Sequence, residues 1–489
     1  MADTTKLKRK TISGVFWQLL QKGSSQAITF IVSVVLARLI LPEDFGIVAM
    51  TSIFLTIAGV LAESGLGTSL VQKKNIDDID KNTVFFFGLF LSILLYCLLF
   101  FLAPLIGKMY KTNEIVPILR IAGLTLLVSS FSSIQQSLVM RELNFRNYFY
   151  ANLISCIISA IIGLILAFKG YGAWALVGQG LTKTFTGIFV LFCFVRWTPR
   201  LNFSWKHLKT LYSFGFNLSA ASLIGTICYE LRGFLIGLRF FPSDLAFYNR
   251  GNSVPGLIND NVSGTISTVL FPAIAQLQDD RIAVKKSMRR AMMTSSFFIA
   301  PLMMLIAATS KQIILLLFTD IWAAAIPFMQ CLSIANIPNV LGSANLQAIN
   351  AIGRSDITFK LEFIKKPVYL LLVFWGVTIS PLTIAVGYLI YTFIGSAINA
   401  IPNKKLIAYS YIEQLVDIFP QILLSLIAAS LAWLIGQLNG SLYLIIVLQW
   451  LIGAGTYYGL AKLFHIESLN YILTSLSEYK TSQDKASNN

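Results

Sequence analysis

The strongest constraint in this sequence is a series of long apolar segments, each close to the roughly 20 residues that an α-helix needs to cross a bilayer. Hydropathy and helix-breaking residues predict about fourteen such segments. They cover residues 12–40, 43–71, 83–107, 114–138, 147–168, 172–195, 209–239, 243–275, 288–309, 322–350, 356–379, 381–401, 411–437 and 441–463. Because lipid offers the backbone no hydrogen bonds, these segments predict an all-α, polytopic membrane protein.

Composition supports the same class of protein. The chain has 489 residues, of which 56% are hydrophobic and 12% charged, far from the average of soluble domains. Residues 1–10 are basic, but the helix that follows contains several polar residues and offers no small-residue cleavage site. The sequence therefore predicts an uncleaved first span and not a signal peptide.

Cysteine and histidine offer little chemistry. The five cysteines lie singly in apolar segments, so a disulfide framework, a zinc site and a redox dithiol are not expected. His207 and His465 lie in basic or polar loops and are predicted to be solvated. The sequence predicts no metal and no cofactor.

One motif occurs twice. Pro42-Glu43-Asp44 and Pro242-Ser243-Asp244 each follow an apolar segment, and Pro242 follows Pro42 by 200 positions. Leu270 follows Leu70 by the same interval. An even number of spans separates the two copies, so both have the same orientation, which predicts two parallel repeats around a central cleft.

The repeat divides the chain into five predicted parts. Residues 1–196 form a first six-helix bundle, 197–208 a linker, 209–405 a second six-helix bundle, 406–464 an extra helix hairpin and 465–489 a cytoplasmic tail. The tail is polar, and its composition predicts disorder. No segment outside the membrane is long enough for a soluble catalytic domain, so we expect no enzyme.

Lysine and arginine are distributed unevenly between the two sides of the membrane. If the N-terminus is cytoplasmic, the inside segments hold most of them and the outside turns hold few. This bias predicts that both termini lie in the cytoplasm. The net charge of +16 then reflects topology and contact with anionic lipid headgroups, so nucleic acid is not an expected partner.

Ionisable residues within predicted spans are costly and usually face a bundle interior or a water-filled cavity, so they are the default functional candidates. In the first span, Gln18, Lys22 and Gln26 recur at helical spacing and lie on one face together with Gln21 and Ser25. In the seventh span, Asn217, Glu230 and Arg232 occupy the corresponding helix of the second copy. The remaining candidates are Glu63, Arg120, Lys183, Arg250 and Asp260.

The structural alternatives remain open for several of these residues. Arg232 and Glu230 could form a local pair, and Lys183 could extend its stem toward an interface. Glu63 lies beside Gly65 and Gly67, where small residues allow another helix to approach. Asp260 is expected at a helix end or in a polar cavity.

Two stretches resemble a known family. Leu41-Pro42-Glu43-Asp44-Phe45-Gly46 and the segment from Glu63 to Gln72, ESGLGTSLVQ, are similar to the polysaccharide-repeat-unit (Wzx-type) flippases of the multidrug/oligosaccharidyl-lipid/polysaccharide exporter superfamily. Val269-Leu270-Phe271-Pro272-Ala273 is similar to the matching segment of the second copy. The resemblance covers roughly residues 7–465, is closest to the colanic-acid and lipopolysaccharide exporters, and implies a fold like that of the superfamily's multidrug (MATE) transporters.

The resemblance implies a transporter in the bacterial cytoplasmic membrane that moves an undecaprenyl-pyrophosphate-linked oligosaccharide by alternating access. We expect Lys22, Gln18, Gln26, Arg120, Lys183 and Arg232 to bind this substrate, because a cationic cavity suits a diphosphate or acidic sugars. A polysaccharide polymerase and assembly proteins are implied partners. The alternatives are an ion-coupled multidrug or metabolite antiporter of the same superfamily and a scaffold of polysaccharide assembly that does not transport.

No nucleotide-binding loop occurs in the sequence, so transport would use an ion gradient or downhill removal of the cargo. The acidic candidates for ion coupling are Glu63, Glu230 and Asp260. Glu63 ranks first, because Arg232 would keep Glu230 ionised and Glu63 has no basic neighbour in its own helical turn.

Overall fold

The computed structural model describes residues 2–474 and Ser477, except Ser64, Leu143, Asn144 and Arg196. Side chains are described within this part apart from those of residues 2–12, 15, 142, 213–218, 221, 268, 269 and 272. The described part contains seventeen α-helices and one 3-10 helix, Asp320–Ala325. The α-helices are α1 Ala2–Leu39, α2 Pro42–Glu63, α3 Leu66–Gln72, α4 Asp78–Met109, α5 Ile115–Ala122, α6 Leu124–Glu142, α7 Phe145–Phe168, α8 Ala173–Phe194, α9 Trp205–Arg239, α10 Pro242–Ala275, α11 Arg281–Ala308, α12 Ser310–Phe318, α13 Ile326–Ala351, α14 Ser355–Val377, α15 Pro381–Leu406, α16 Tyr411–Ile435 and α17 Leu442–Leu463.

The prediction of an all-helical, multi-pass membrane protein is confirmed. Eleven helical segments in the described residues are both long and apolar enough to cross a membrane. Two of these segments are interrupted helices, α2 with α3 and α5 with α6. The other three predicted spans correspond to α9, α10 and α14, which are helical but more polar.

The duplicated motif starts a helix in both copies. α2 begins at Pro42 and α10 begins at Pro242, each after a short break in the helix. Proline suits this position because the first helical N–H has no partner within the helix. In the second copy the Asp244 side chain accepts a hydrogen bond from the backbone N–H of Phe241, at 3.0 Å, so the aspartate satisfies an N–H at the helix start.

The chain divides into two compact units, Met1–Ala246 and Phe247–Asn489. These units are groups of residues that lie close together in space. The five parts predicted above were defined by the repeated sequence motif instead, so that division of the chain stays a prediction.

Within the first unit, α9 packs closely on α2 through glycine. A Cβ atom on Gly233 would lie 3.2 Å from the Ile53 side chain, and one on Gly237 would lie 3.0 Å from that of Met50. Both glycines therefore let the two helices approach. Although α9 follows the predicted linker, its packing partners α2, α3 and α4 all belong to the first unit.

A buried charge cluster joins α3, α4 and α9 at one end of the first unit. Asp80, fully buried in the first turn of α4, accepts hydrogen bonds from Lys73 Nζ at 2.6 and 2.7 Å. The His207 Nδ1 atom of α9 lies 2.8 Å from Oδ1 of this carboxylate, which Lys73 also contacts. The expectation that His207 is a solvated loop residue is therefore wrong. Asp77 is near enough for these groups to surround a metal, but Lys73 already neutralises Asp80.

The second unit has its main core between α10, α11 and α13. Its fully buried side chains include Met288, Met292 and Met303 of α11, which pack with Ala344 and Ala348 of α13. Methionine fills irregular space between helices because its side chain is flexible and polarisable.

The predicted C-terminal hairpin consists of α16 and α17, and it packs on α11. The Tyr457 hydroxyl donates a hydrogen bond to the carbonyl oxygen of Phe297 at 2.9 Å. Residues 467–474 are helical, and Ile466 and Leu469 are buried in the same cluster. The prediction of disorder is wrong for this part of the tail, since these apolar residues cover the hairpin, and residues 478–489 lie outside the described part.

Gly46 in the first motif packs directly on the second motif, and this contact predicts a stability effect. A Cβ atom there would lie 1.9 Å from the carbonyl oxygen of Pro242, which also belongs to the first unit. We expect Gly46→Ala to destabilise the protein by about 1–3 kcal/mol, because backbone must move to admit the methyl group. Thermal unfolding of the purified protein measures the change.

Gly59 on the same helix is the matched control, since nothing lies within 4 Å of its added Cβ. Gly59→Ala should leave the melting temperature unchanged or raise it, because alanine favours helix by up to about 1 kcal/mol. Equal melting temperatures for the two variants would contradict the close contact at Gly46.

Candidate functional site

The break between α2 and α3 opens a polar cavity in the first unit. Gly65 adopts a left-handed conformation with φ 65° and separates the two helices. A residue with a side chain would be strained there. The break borders a cavity of about 340 Å³, which we call the serine cavity. Its lining includes Glu63 from the end of α2, Thr68 from α3, and Ser219 and Ser222 from α9.

One face of α6 supplies most of the polar wall of the serine cavity. Ser129, Ser132, Ser133 and Gln136 lie at positions i, i+3, i+4 and i+7 of this helix and line the cavity. The Ser129 hydroxyl donates to the carbonyl oxygen of Leu126 at 2.8 Å. Such local bonds satisfy the hydroxyl hydrogen, while the oxygen lone pairs stay available to a ligand.

Sequence reasoning missed this face, although its signal was present. The predicted span 114–138 contains the run Ser129-Ser130-Phe131-Ser132-Ser133 followed by two glutamines. Polar residues at helical spacing indicate a face turned away from lipid. The predicted site residues were chosen mainly for charge, and this face contains no ionisable group.

Glu63 is the carboxylate among the residues that line the serine cavity. Its side chain is exposed at the end of α2 and also borders a smaller cavity against α4. The close helix packing expected at the neighbouring glycines is present too. A Cβ atom on Gly67 would lie 2.9 Å from the Ser137 hydroxyl oxygen of α6. Close helix packing at Gly67 and cavity lining by Glu63 therefore occur in the same part of the structure.

A second cavity, of about 220 Å³, adjoins the first and contains the Lys183 side chain of α8. We call it the lysine cavity. It shares Ser132 and Gln136 of α6 with the serine cavity. Asn152 and Tyr148 of α7 supply further polar groups. A carboxylate and an ammonium group therefore lie in neighbouring cavities, with one serine and one glutamine between them.

The first helix reaches this region through a hydrogen bond. The Ser25 hydroxyl of α1 donates to the Asn152 side-chain oxygen at 3.1 Å and lies 3.4 Å from the Cys156 sulfur. Ser25 belongs to the polar face predicted for this helix. Among the other residues of that face, Gln26 is half-buried, whereas Gln18 and Lys22 are exposed. Their role in binding stays a prediction.

The two other cations that were predicted to bind the substrate lie against aromatic rings. The Arg120 guanidinium lies 4.3 Å from the centre of the Phe100 ring, and its Nε donates to the Phe100 carbonyl oxygen at 3.3 Å. The Arg232 side chain is buried, with its guanidinium 5.2 Å from the Tyr229 ring centre. Stacking of this kind holds a cation in apolar surroundings.

The remaining acidic candidates differ in burial. Glu230 of α9 is half-buried, and Asp260 of α10 is exposed. The side chain of Asn217 lies outside the described residues. Glu63 and Lys183 are therefore two predicted site residues that the structure places in adjoining polar cavities.

The chemistry of the two cavities is that of hydrogen bonding. Hydroxyl and amide groups both donate and accept, which suits a ligand rich in hydroxyls. Lys183 can attract an anionic group, and Glu63 can take up a proton or bind a cation. The cavities lie among α2, α3, α6, α7, α8 and α9, and all of these except α9 belong to candidate membrane spans. Polar groups therefore lie between helices that are long and apolar enough to cross a membrane.

Comparison with known proteins gives consistent relatives. Residues 35–327 match the model of a family described as polysaccharide biosynthesis protein. The succinoglycan biosynthesis transport protein ExoT of Rhizobium meliloti is 24% identical over 73% of this chain and 72% of its own. The lipopolysaccharide biosynthesis protein WzxC of Escherichia coli is 23% identical over 88% of both chains. The teichuronic acid biosynthesis protein TuaB of Bacillus subtilis is 22% identical over 72% of this chain and 73% of its own.

Solved structures of similar fold are transporters. The lipid II flippase MurJ in an inward closed conformation superposes with a TM-score of 0.75 at 15% identity, covering 92% of this chain and 99% of MurJ. An inward-facing multidrug transporter of the MATE family has a TM-score of 0.61 at 13% identity, over 78% of this chain and 94% of that transporter. These likenesses show the fold. Because the family model covers more than half of the sequence, the chain belongs to the polysaccharide biosynthesis protein family.

Proposed function

We propose that the protein is a flippase that moves an undecaprenyl-pyrophosphate-linked oligosaccharide across the membrane for the synthesis of a surface polysaccharide. The observation that carries this proposal is the match to the polysaccharide biosynthesis family over residues 35–327. The names of ExoT, WzxC and TuaB refer to succinoglycan, lipopolysaccharide and teichuronic acid biosynthesis. The name of ExoT also refers to transport, which supports a transport step in the synthesis of such a polysaccharide.

The polar cavities of the first unit support the proposal physically. An oligosaccharide must leave water to cross the membrane, so its hydroxyl groups need hydrogen-bonding partners at membrane depth. The α6 serines, Gln136 and Asn152 supply such partners. Lys183 would attract the diphosphate or an acidic sugar, and Lys22, Gln18, Gln26, Arg120 and Arg232 remain further proposed contacts.

The setting of this transport is part of the proposal. The membrane is the bacterial cytoplasmic membrane, and both termini lie in the cytoplasm, since the distribution of lysine and arginine favours that topology. The protein carries no reaction of its own. It passes its cargo to a polymerase and assembly proteins on the far side, and conformational cycling uses an ion gradient or the removal of cargo there.

The function is tested in a strain that lacks the gene for this protein. We expect the lipid-linked oligosaccharide to accumulate in the cytoplasmic leaflet and to appear on the periplasmic side once the protein is restored. Accessibility of the oligosaccharide to an added glycosidase in spheroplasts measures this. Periplasmic oligosaccharide at wild-type levels in the deletion strain would contradict a flippase and favour a scaffold.

Lys183 gives a residue-level prediction in the same strain. Lys183→Gln should reduce flipping about tenfold, because loss of a charged hydrogen bond costs about 1.5 kcal/mol, whereas Lys183→Arg should retain most of it. Lys169→Gln is the matched control, since Lys169 is exposed in the turn between α7 and α8. Equal export by Lys183→Gln and wild type, at equal protein levels, would remove Lys183 from the site.

Glu63 is the first candidate for coupling to protons, because an ion drives a conformational change only if it binds the two states differently. In vesicles with an imposed pH gradient, Glu63→Gln should lose the stimulation of transport by the gradient. Glu43→Gln should keep it, since Glu43 is an exposed residue in the first turn of the same helix. If Glu63→Gln responds to the gradient as wild type does, coupling occurs elsewhere.

A further inference from the structure

The second unit contains a polar cavity that sequence reasoning did not identify. It measures about 270 Å³ and lies among α10, α13, α14 and α15. We call it the asparagine cavity. Its polar lining includes Asn259 of α10, Asn339 of α13, Lys365 of α14, and Thr392, Ser396 and Asn399 of α15. All of these residues belong to the second unit.

Lys365 is a buried cation in the wall of this cavity. It lies near the middle of α14 and is only 5% exposed. Its stem runs beside Gly395 of α15, with Cδ 4.0 Å from where a Cβ on that glycine would lie. Its Nζ atom lies 2.5 Å from the Glu362 carboxylate one turn earlier.

This ion pair determines which ligands the cavity favours. Glu362 balances the charge of Lys365, and Lys366 Nζ also lies 3.7 Å from this carboxylate, so these three side chains have at most one net positive charge, which is too little to balance a dianion. An ammonium group has three N–H donors, and the pair with Glu362 uses one of them. The Lys365 ammonium also disfavours a metal cation, because like charges repel strongly where water is scarce.

Asn399 provides a polar atom that lacks a partner. The residue is 6% exposed, and its Nδ2 lies at 3.5 Å from the carbonyl oxygen of Gly342, the limit of a hydrogen bond. Its side-chain oxygen has no hydrogen-bond partner among the described residues. A buried carbonyl without a partner costs about 1–3 kcal/mol, and native proteins rarely leave one without a reason. Asn399 therefore has an unused acceptor at the wall of the cavity.

The neighbouring amides form a short chain that is also incompletely used. Asn339 Nδ2 donates to the Asn336 oxygen at 3.0 Å and reaches the Asn259 oxygen at 3.4 Å. Each side-chain amide offers two donors and one carbonyl oxygen. The cavity thus presents both donors and acceptors from four helices, beside the ring of Tyr391.

We propose that the asparagine cavity binds a neutral, hydroxyl-rich sugar ring. Sugar hydroxyls both donate and accept, so they match paired amides, threonine and serine hydroxyls and the remaining Lys365 N–H groups. An aromatic ring beside the cavity suits the apolar face of a sugar. This inference rests on the proposed function and assigns one saccharide of the lipid-linked oligosaccharide to the second unit.

The test uses the purified full-length chain and free sugars as probes. Glucose, galactose and N-acetylglucosamine are titrated separately, with glucuronate and sodium chloride as charged comparisons, and thermal unfolding is followed. At least one neutral sugar should raise the melting temperature in a saturable way, since a ligand of the native state stabilises it. Stabilisation by sodium or glucuronate alone, or by none of the probes, overturns the proposal.

Variants assign any such effect to the cavity. Asn399→Leu keeps the approximate side-chain shape and removes the amide, so it should lower the affinity for the sugar that binds by at least about tenfold. Thr392→Val serves as a second variant if Asn399→Leu does not fold. Lys360→Met is the control, because Lys360 is an exposed lysine of the same helix and is not among the residues that line the cavity. Unchanged sugar affinity in Asn399→Leu overturns the assignment.

The proposed function and the sugar-binding proposal can be rejected independently. If the wild-type protein restores flipping in the deletion strain but no sugar binds, the sugar-binding proposal for the asparagine cavity is rejected and the proposed function stands. Sugar binding without flipping keeps the cavity and rejects the transport of lipid-linked oligosaccharide.

Discussion

The absence of hydrogen-bonding partners in lipid governs this structure. Every polar group placed at membrane depth must be satisfied within the protein or line a polar cavity. The backbone meets this requirement by forming helices. Side chains meet it by turning inward, as Ser132 and Gln136 of α6 do toward two cavities of the first unit. Polar residues in these helices are costly for the fold, and their placement beside cavities is what connects the fold to transport.

Breaks in the helices provide the space. Gly65 adopts a conformation that ends α2 and leaves Glu63 at the edge of the serine cavity. Pro42 and Pro242 restart helices in both copies of the motif, and Gly46 lets these starts touch within the first unit. The motif that first indicated a repeat is therefore architectural. It fixes helix packing, while the ligand-binding chemistry comes from less distinctive serines, amides and single charges.

Sequence reasoning predicted the helical membrane fold and the helix starts at the repeated motif, because long apolar segments and the prolines that begin them are strong local signals. Glu63 and Lys183 were named because a charge within an apolar segment is also a strong local signal, and their roles in coupling and binding stay predictions. The serine face of α6 was missed because its residues are too mildly polar to stand out in a search for charges. Lys365 was missed although the predicted span 356–379 contains it, because Lys360 and Lys366 beside it give this stretch the composition of a basic cytoplasmic segment. The contact of His207 with Asp80 joins residues 127 positions apart, which no local pattern reveals.

The central claim is that this chain alone moves a lipid-linked oligosaccharide across a bilayer. The most direct measurement reconstitutes the purified protein in vesicles that carry undecaprenyl-pyrophosphate-linked oligosaccharide, and follows the fraction reached by a membrane-impermeant glycosidase. The glycosidase first removes the oligosaccharide on the outer leaflet. Further oligosaccharide should then become accessible much faster in vesicles with the protein than in vesicles without it. The same slow rate in both would contradict the account.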